Sequence, residues 1–198
     1  MTVSDSKTLF HEQFPYVIPS LFKRIVDEML VELNLLHHQS EFSQDTFFCV
    51  GLTETFHDLT NGYEPKKHLK QLFSALCTST NFDPTKIDET SEKTIKEYKG
   101  KDLKEISDLI IKNSPEKIHY SRIFILGIYK ILSNASDFKE EEDIKKIVEL
   151  EKISTNLNLP LNRIEKDISL FINSLKKFEQ AKELMRETIK SEREKRKK

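Results

Sequence analysis

The sequence predicts an all-α fold: a helical bundle with a long, coiled-coil-like C-terminal helix. Three observations carry that expectation. Apolar residues recur at steps of three and four along most of the chain. Glycine and proline are scarce, 4 and 6 among 198 residues, whereas the turns of a sheet protein consume both. Charged residues make up 33% against 37% hydrophobic, a balance suited to long solvated helices. A chain of this length buries about 70% of its unfolded surface, enough to fold without a disulfide or metal staple.

Residues 1–19 mix polar residues with Phe10, Phe14, Pro15 and Pro19 and read as an extended N-terminal arm with a few anchors. A bundle is expected over 20–159. Its first helix starts at the N-cap Ser20 and runs to about His37, with Phe22, Ile25, Val26, Met29 and Leu33 forming one stripe. Leu21, Val31 and Leu35 widen the stripe, which predicts cover on more than one side. A second helix spans about Asp45 to Leu59, turns Phe48, Leu52, Phe56 and Leu59 inward, and stops at Asn61-Gly62. A third follows Pro65, with Leu69, Leu72, Phe73 and Leu76 inward. Asp83-Pro84 opens a polar helix that ends at Gly100. Then come Asp102 to Lys112, and Pro115 to Leu132, the most apolar helix and the expected centre. Asp137 opens a further helix, with Glu140, Glu141, Glu142 and Asp143 complementing its dipole, which ends before Pro160.

The segment 160–198 is the most regular. Leu161, Ile164, Ile168, Phe171, Leu175 and Phe178 step by threes and fours; Lys182 interrupts, and Met185 and Ile189 resume. This is a coiled-coil period over about four heptads, in a rod of about 45 Å. Ile164, Ile168, Phe171, Leu175, Phe178 and Met185 are therefore candidate protein-binding residues if the helix projects, and core residues if it folds back on the bundle. The end is basic, with Lys190, Arg193, Lys195, Arg196, Lys197 and Lys198 against two acids. A solvated helix end, a protein or lipid contact, and nucleic-acid binding all fit such a tail. The absence of tail aromatics for base stacking weighs against nucleic acid.

No catalytic site is expected. Glu54…His57 and Glu116…His119 have the Glu-x-x-His spacing of di-iron bundles, but at this composition the spacing arises by chance. Glu54 and His57 also lie off the apolar stripe, and Glu116 suits a first turn for dipole reasons. His37-His38 are adjacent and cannot face one ligand. There is no Gly-rich phosphate loop and no nucleophile elbow, so neither cofactor, metal nor small-molecule substrate is expected. Cys49 and Cys77, within apolar stretches, read as buried thiols of a reducing compartment. No run approaches the roughly 20 apolar residues of a membrane span, and MTVSDSKTLF lacks the marks of a signal peptide or myristoylation. Arg122, in the most apolar helix, needs a carboxylate partner; Glu28 and Glu32 are candidates, with partner binding as the other role.

Several stretches resemble one family, the thylakoid formation (photosystem II biogenesis) proteins of cyanobacteria and plastids. They are TVSDSKTLF, RIVDEMLVELNLL, FFCVGL with Phe56 and Gly62-Tyr63, LFSALC, YSRIFILGIYKIL, and the closing helix with EREKRKK. Cys49-Val50 replaces the family's usual Ala-Leu, and 86–104 matches weakly. The resemblance implies an all-helical, non-enzymatic auxiliary protein of cyanobacterial type. It would sit at the cytoplasmic face of the thylakoid and support accumulation of FtsH-type membrane protease complexes, and through them photosystem II repair. The alternative it leaves open is a membrane- or vesicle-organising protein that binds anionic thylakoid lipid through the basic tail.

Overall fold

The computed structural model describes residues 1–115, 117–136 and 143–195. Among them the chain forms nine α-helices and no strand. They are α1 (Val3–Gln13), α2 (Ser20–His37), α3 (Thr46–Leu59), α4 (Leu69–Thr78), α5 (Pro84–Tyr98), α6 (Leu103–Asn113), α7 (Arg122–Ser133), α8 (Asp143–Asn156) and α9 (Leu161–Lys195). The all-α expectation stands, and most boundaries follow from caps. Asp45, Asp83, Asp102 and Ser121 each accept a hydrogen bond from a backbone N–H of the first turn they precede.

Two boundaries differ from the sequence reading. The arm contains a helix: Thr2 and Asp5 cap α1 reciprocally, with Thr2 N–H donating to Asp5 Oδ2 at 2.7 Å. Phe10 and Ser6 are then buried, and Asn34 of α2 donates to Ser6 Oγ at 2.7 Å. The central helix begins at Arg122 rather than Pro115, because Ser121 supplies its cap. Residues 117–120 are instead a non-helical strap.

The core has two clusters. One gathers α1, α2, α3 and α4 around Leu33, Leu52 and Leu72; the other gathers α6, α7, α8 and α9 around Ile106, Ile128, Ile153 and Ile164. Helix α3 serves both, giving Phe48 and Leu52 to the first and Phe47 and Val50 to the second. It lies directly on α7. A Cβ on Gly51 would overlap the Ile123 carbonyl oxygen, and one on Gly127 would overlap that of Phe47. Further along both helices Asp58 pairs with Lys130, so α3 and α7 run in the same direction.

The seam of α9 folds back on this body. Ile164, Ile168, Phe171 and Phe178 are buried in the two clusters and Leu175 is partly buried, so these five do not offer docking area. Lys182 interrupts the seam because its side chain lies against the turn at Gly62, a residue with φ of 87°. Beyond it Leu184 and Met185 are exposed, as Leu170 is earlier on the helix. The expected acidic first turn over Asp137, Glu140, Glu141 and Glu142 lies outside the described residues. So do the side chains of Lys190, Arg193 and Lys195, and residues Arg196, Lys197 and Lys198.

Candidate functional site

Val31 and Leu35 widen the stripe of α2, yet among the described residues no element closes over Leu35. Leu35 is 55% exposed and Val31 only half-buried. They line an open groove of about 830 Å³ between α2, the strap ending at Ser121, the start of α7 and the start of α9. Helix α2 is thus covered on more than one side, with Leu21 packed against the first cluster, and the side of Leu35 is the groove.

Most of its charged residues pair with one another. Arg122 Nε donates to Glu32 Oε1 at 3.2 Å, and its Nη2 pairs with Glu32 Oε2. Glu28 bonds instead to Arg24, at 2.7 Å, although its charge also reaches Arg122. Of the two proposed partners the fold brings Glu32 to Arg122, and the pair bridges α7 to α2. Burial alone would lower the Arg122 pKa, but the hydrogen bond and charge of Glu32 hold it above its ordinary value. Lys7 and Asp27 stand 3.6 Å apart at the α1 side. On the α9 side Tyr120 donates to Asp167 at 2.7 Å, and Arg163 lies 4.9 Å from the Tyr120 ring centre. Burial, reinforced by that hydrogen bond, pushes the Tyr120 pKa up, so the phenol stays protonated.

Sequence reasoning found Arg122, Glu28 and Glu32. It missed Tyr120, Arg163, Asp167 and Arg24, which come from separate elements and carry no shared spacing. The remaining candidates sit elsewhere. His38 Nδ1 donates to the Asn34 carbonyl at 2.7 Å, and the His37 ring packs on Phe82, so the tandem histidines form a helix end. His57 is exposed on α3, Glu54 partly so. Glu116 is outside the described residues. Among the described residues, no three His, Cys, Asp or Glu gather where they could hold a metal ion. Burial pushes the Cys49 thiol up to about 11 and raises that of Cys77 further, which leaves both as unreactive thiols.

Fold and groove together define an all-helical protein with a broad, charge-paired recess on its surface. Among the described residues no helix is long and apolar enough to cross a membrane. The chain belongs to the thylakoid formation protein family, whose model matches residues 2–198. It is 59% identical to protein Thf1 of Prochlorococcus marinus subsp. pastoris, over 100% of this chain and 98% of that one. It is 39% identical to protein Thf1 of a Synechococcus species, over 98% and 91%. A solved structure of Psb29 superposes with a TM-score of 0.88 at 28% identity, covering 100% of both chains. The chain is therefore a thylakoid-associated protein with a role in thylakoid formation and photosystem II biogenesis.

Proposed function

We propose that the chain acts without catalysis, as an auxiliary protein at the cytoplasmic face of the thylakoid that binds FtsH-type membrane protease complexes and supports their accumulation for photosystem II repair. The observation that carries this reading is the α2 groove. It combines exposed Leu35 with Tyr120, Arg122 and Arg163, and tyrosine and arginine dominate the energetic centres of protein interfaces. Most of its ionisable groups are held in pairs rather than poised for proton transfer, which suits recognition better than chemistry. The exposed Leu184 and Met185 of α9 add a second, smaller contact surface.

The test is affinity capture of the protease from cyanobacterial membranes with the tagged chain. Leu35→Asp combined with Tyr120→Ala should cut capture about tenfold or more, while the far-ultraviolet spectrum stays that of the wild type. Undiminished capture, or no protease retained by the wild type, sinks the reading.

The second reading, a membrane-organising protein, is favoured by the charge of 190–198, six basic residues against two acidic. Each cation near an anionic surface is worth about 1 kcal/mol. Deleting 190–198 should abolish sedimentation with anionic vesicles under this reading, and unchanged sedimentation removes the tail from the mechanism.

A further inference from the structure

The segment that joins α1 to α2 is a pinned knuckle with its apolar tip in water. Phe14 at its start is 1% exposed, and Ile18 near its end packs against the first core cluster. Pro15 and Pro19 restrict the backbone at both anchors, because proline fixes its own φ and narrows the choices of the residue before it. Between the anchors Val17 is 92% exposed and Tyr16 42%. An isolated exposed valine is ordinary. This one is held out between two fixed shoulders.

Tyr16 ties the knuckle to a pair of lysines. Its ring stacks on His68, with centres 4.0 Å apart, in the 3₁₀ turn Lys66–His68. Successive side chains of such a turn point about 120° apart, so Lys66 and Lys67 project to either side of the stacked pair. Both are exposed. The segments 11–24 and 61–71, which frame the knuckle, hold five basic residues against two acidic. Arg24 pairs with Glu28 and the charge of Lys70 reaches Asp88, while among the described residues Lys23, Lys66 and Lys67 carry no ion pair. Helix α9 leaves the body at this same end, since Lys182 lies on the Gly62 turn and Tyr63 packs on Phe22 with ring centres 5.0 Å apart.

The chemistry of the tip selects its occupant. A convex valine–tyrosine tip offers a partner no pocket, and lysine is depleted from protein interfaces. A bilayer surface suits all three residue types: tyrosine sits at headgroup level, lysine reaches phosphate, and valine enters hydrocarbon. An apolar insertion and a basic patch are two signals that together hold a protein on an anionic membrane.

We propose that the 15–18 knuckle is a membrane-contact site, with Val17 and Tyr16 inserted at the headgroup boundary of an anionic lipid surface and Lys66 and Lys67 on its phosphates. The inference does not rest on the protease reading, and it concerns a surface other than the basic tail. The test uses the full chain with Val17→Cys carrying an environment-sensitive nitrobenzoxadiazole label; Cys49 and Cys77 are buried and stay unlabelled. Ile147→Cys on α8, an exposed position remote in sequence, is the control. Vesicles of phosphatidylglycerol and phosphatidylcholine should shift the emission of the label at 17 to the blue and leave that at 147 unchanged. Sedimentation of the unlabelled chain with the same vesicles should weaken about tenfold for Val17→Asp and about 25-fold for Lys66→Glu with Lys67→Glu. Val17→Leu should bind as wild type does. None of these should lower Tm, because all three side chains are exposed. Sedimentation with no emission change at residue 17 assigns lipid binding to another surface and overturns the proposal, as do equal changes at 17 and 147, or no binding at all. A change at 17 with native membranes but not with protein-free vesicles identifies a protein as the occupant, and overturns it as well.

Discussion

Asp45 caps α3, accepting from Phe48 N–H at 2.8 Å, yet burial pushes its carboxyl up to about 6 against the pull of the backbone N–H groups of Phe48 and Phe47. A folded-state pKa above the ordinary 3.8 means that the fold favours the protonated form. Its contribution to stability is therefore present below about pH 4 and lost as pH rises through about 6. Asn caps as well as Asp and carries no charge. Asp45→Asn should be about 1–3 kcal/mol more stable than wild type at pH 8 and equal to it at pH 4, by urea denaturation; equal stabilities at both pH values would refute this. The Arg122–Glu32 pair is different in kind. Its side chains are 43% and 20% exposed, so solvent screens it, and a double-mutant cycle should return a coupling of about 1 kcal/mol or less. That Arg122 needed a carboxylate was legible from an arginine inside an apolar helix. Which carboxylate was not, because Glu28 and Glu32 lie on one face of α2 and only the crossing of α7 selects between them.

At the scale of elements, α3 and α7 cross with backbone against backbone. A methyl on Gly51 would come 2.9 Å from Gly127 N as well as overlapping the Ile123 carbonyl, and one on Gly127 would come 2.9 Å from Gly51 N. These obstacles are backbone atoms of a neighbouring helix, which cannot rotate away. Gly51→Ala and Gly127→Ala should each cost about 3 kcal/mol or more in thermal or chemical denaturation. The double substitution should cost less than their sum, because the first forces the helices apart for the second. A cost below 1 kcal/mol for either would refute the packing. The glycines were visible in the sequence only as isolated residues. Helix α1 shows the opposite limit: with Phe10 and Phe14 as its apolar anchors it has no period to read, and the available signal was Thr2 followed three residues on by Asp5.

For the whole molecule, the decisive arrangement is α9 lying back across both core clusters. Phe171 and Phe178 are each 6% exposed. Replacing either by Glu buries an unpaired charge and should cost about 4 kcal/mol or more, seen as loss of soluble protein or of cooperative melting. Leu184→Gln with Met185→Gln should leave Tm within a degree or two, since both side chains face solvent. A cooperatively folded Phe171→Glu protein would refute the docked helix. What the sequence determined by itself was the helical class, most helix boundaries and the family, because caps, periodicity and ordered motifs are local and survive without a partner. The groove, the choice of Glu32, and the fate of the α9 seam were decided only in three dimensions. An apolar stripe specifies that a face will be covered; which surface covers it depends on how distant elements meet.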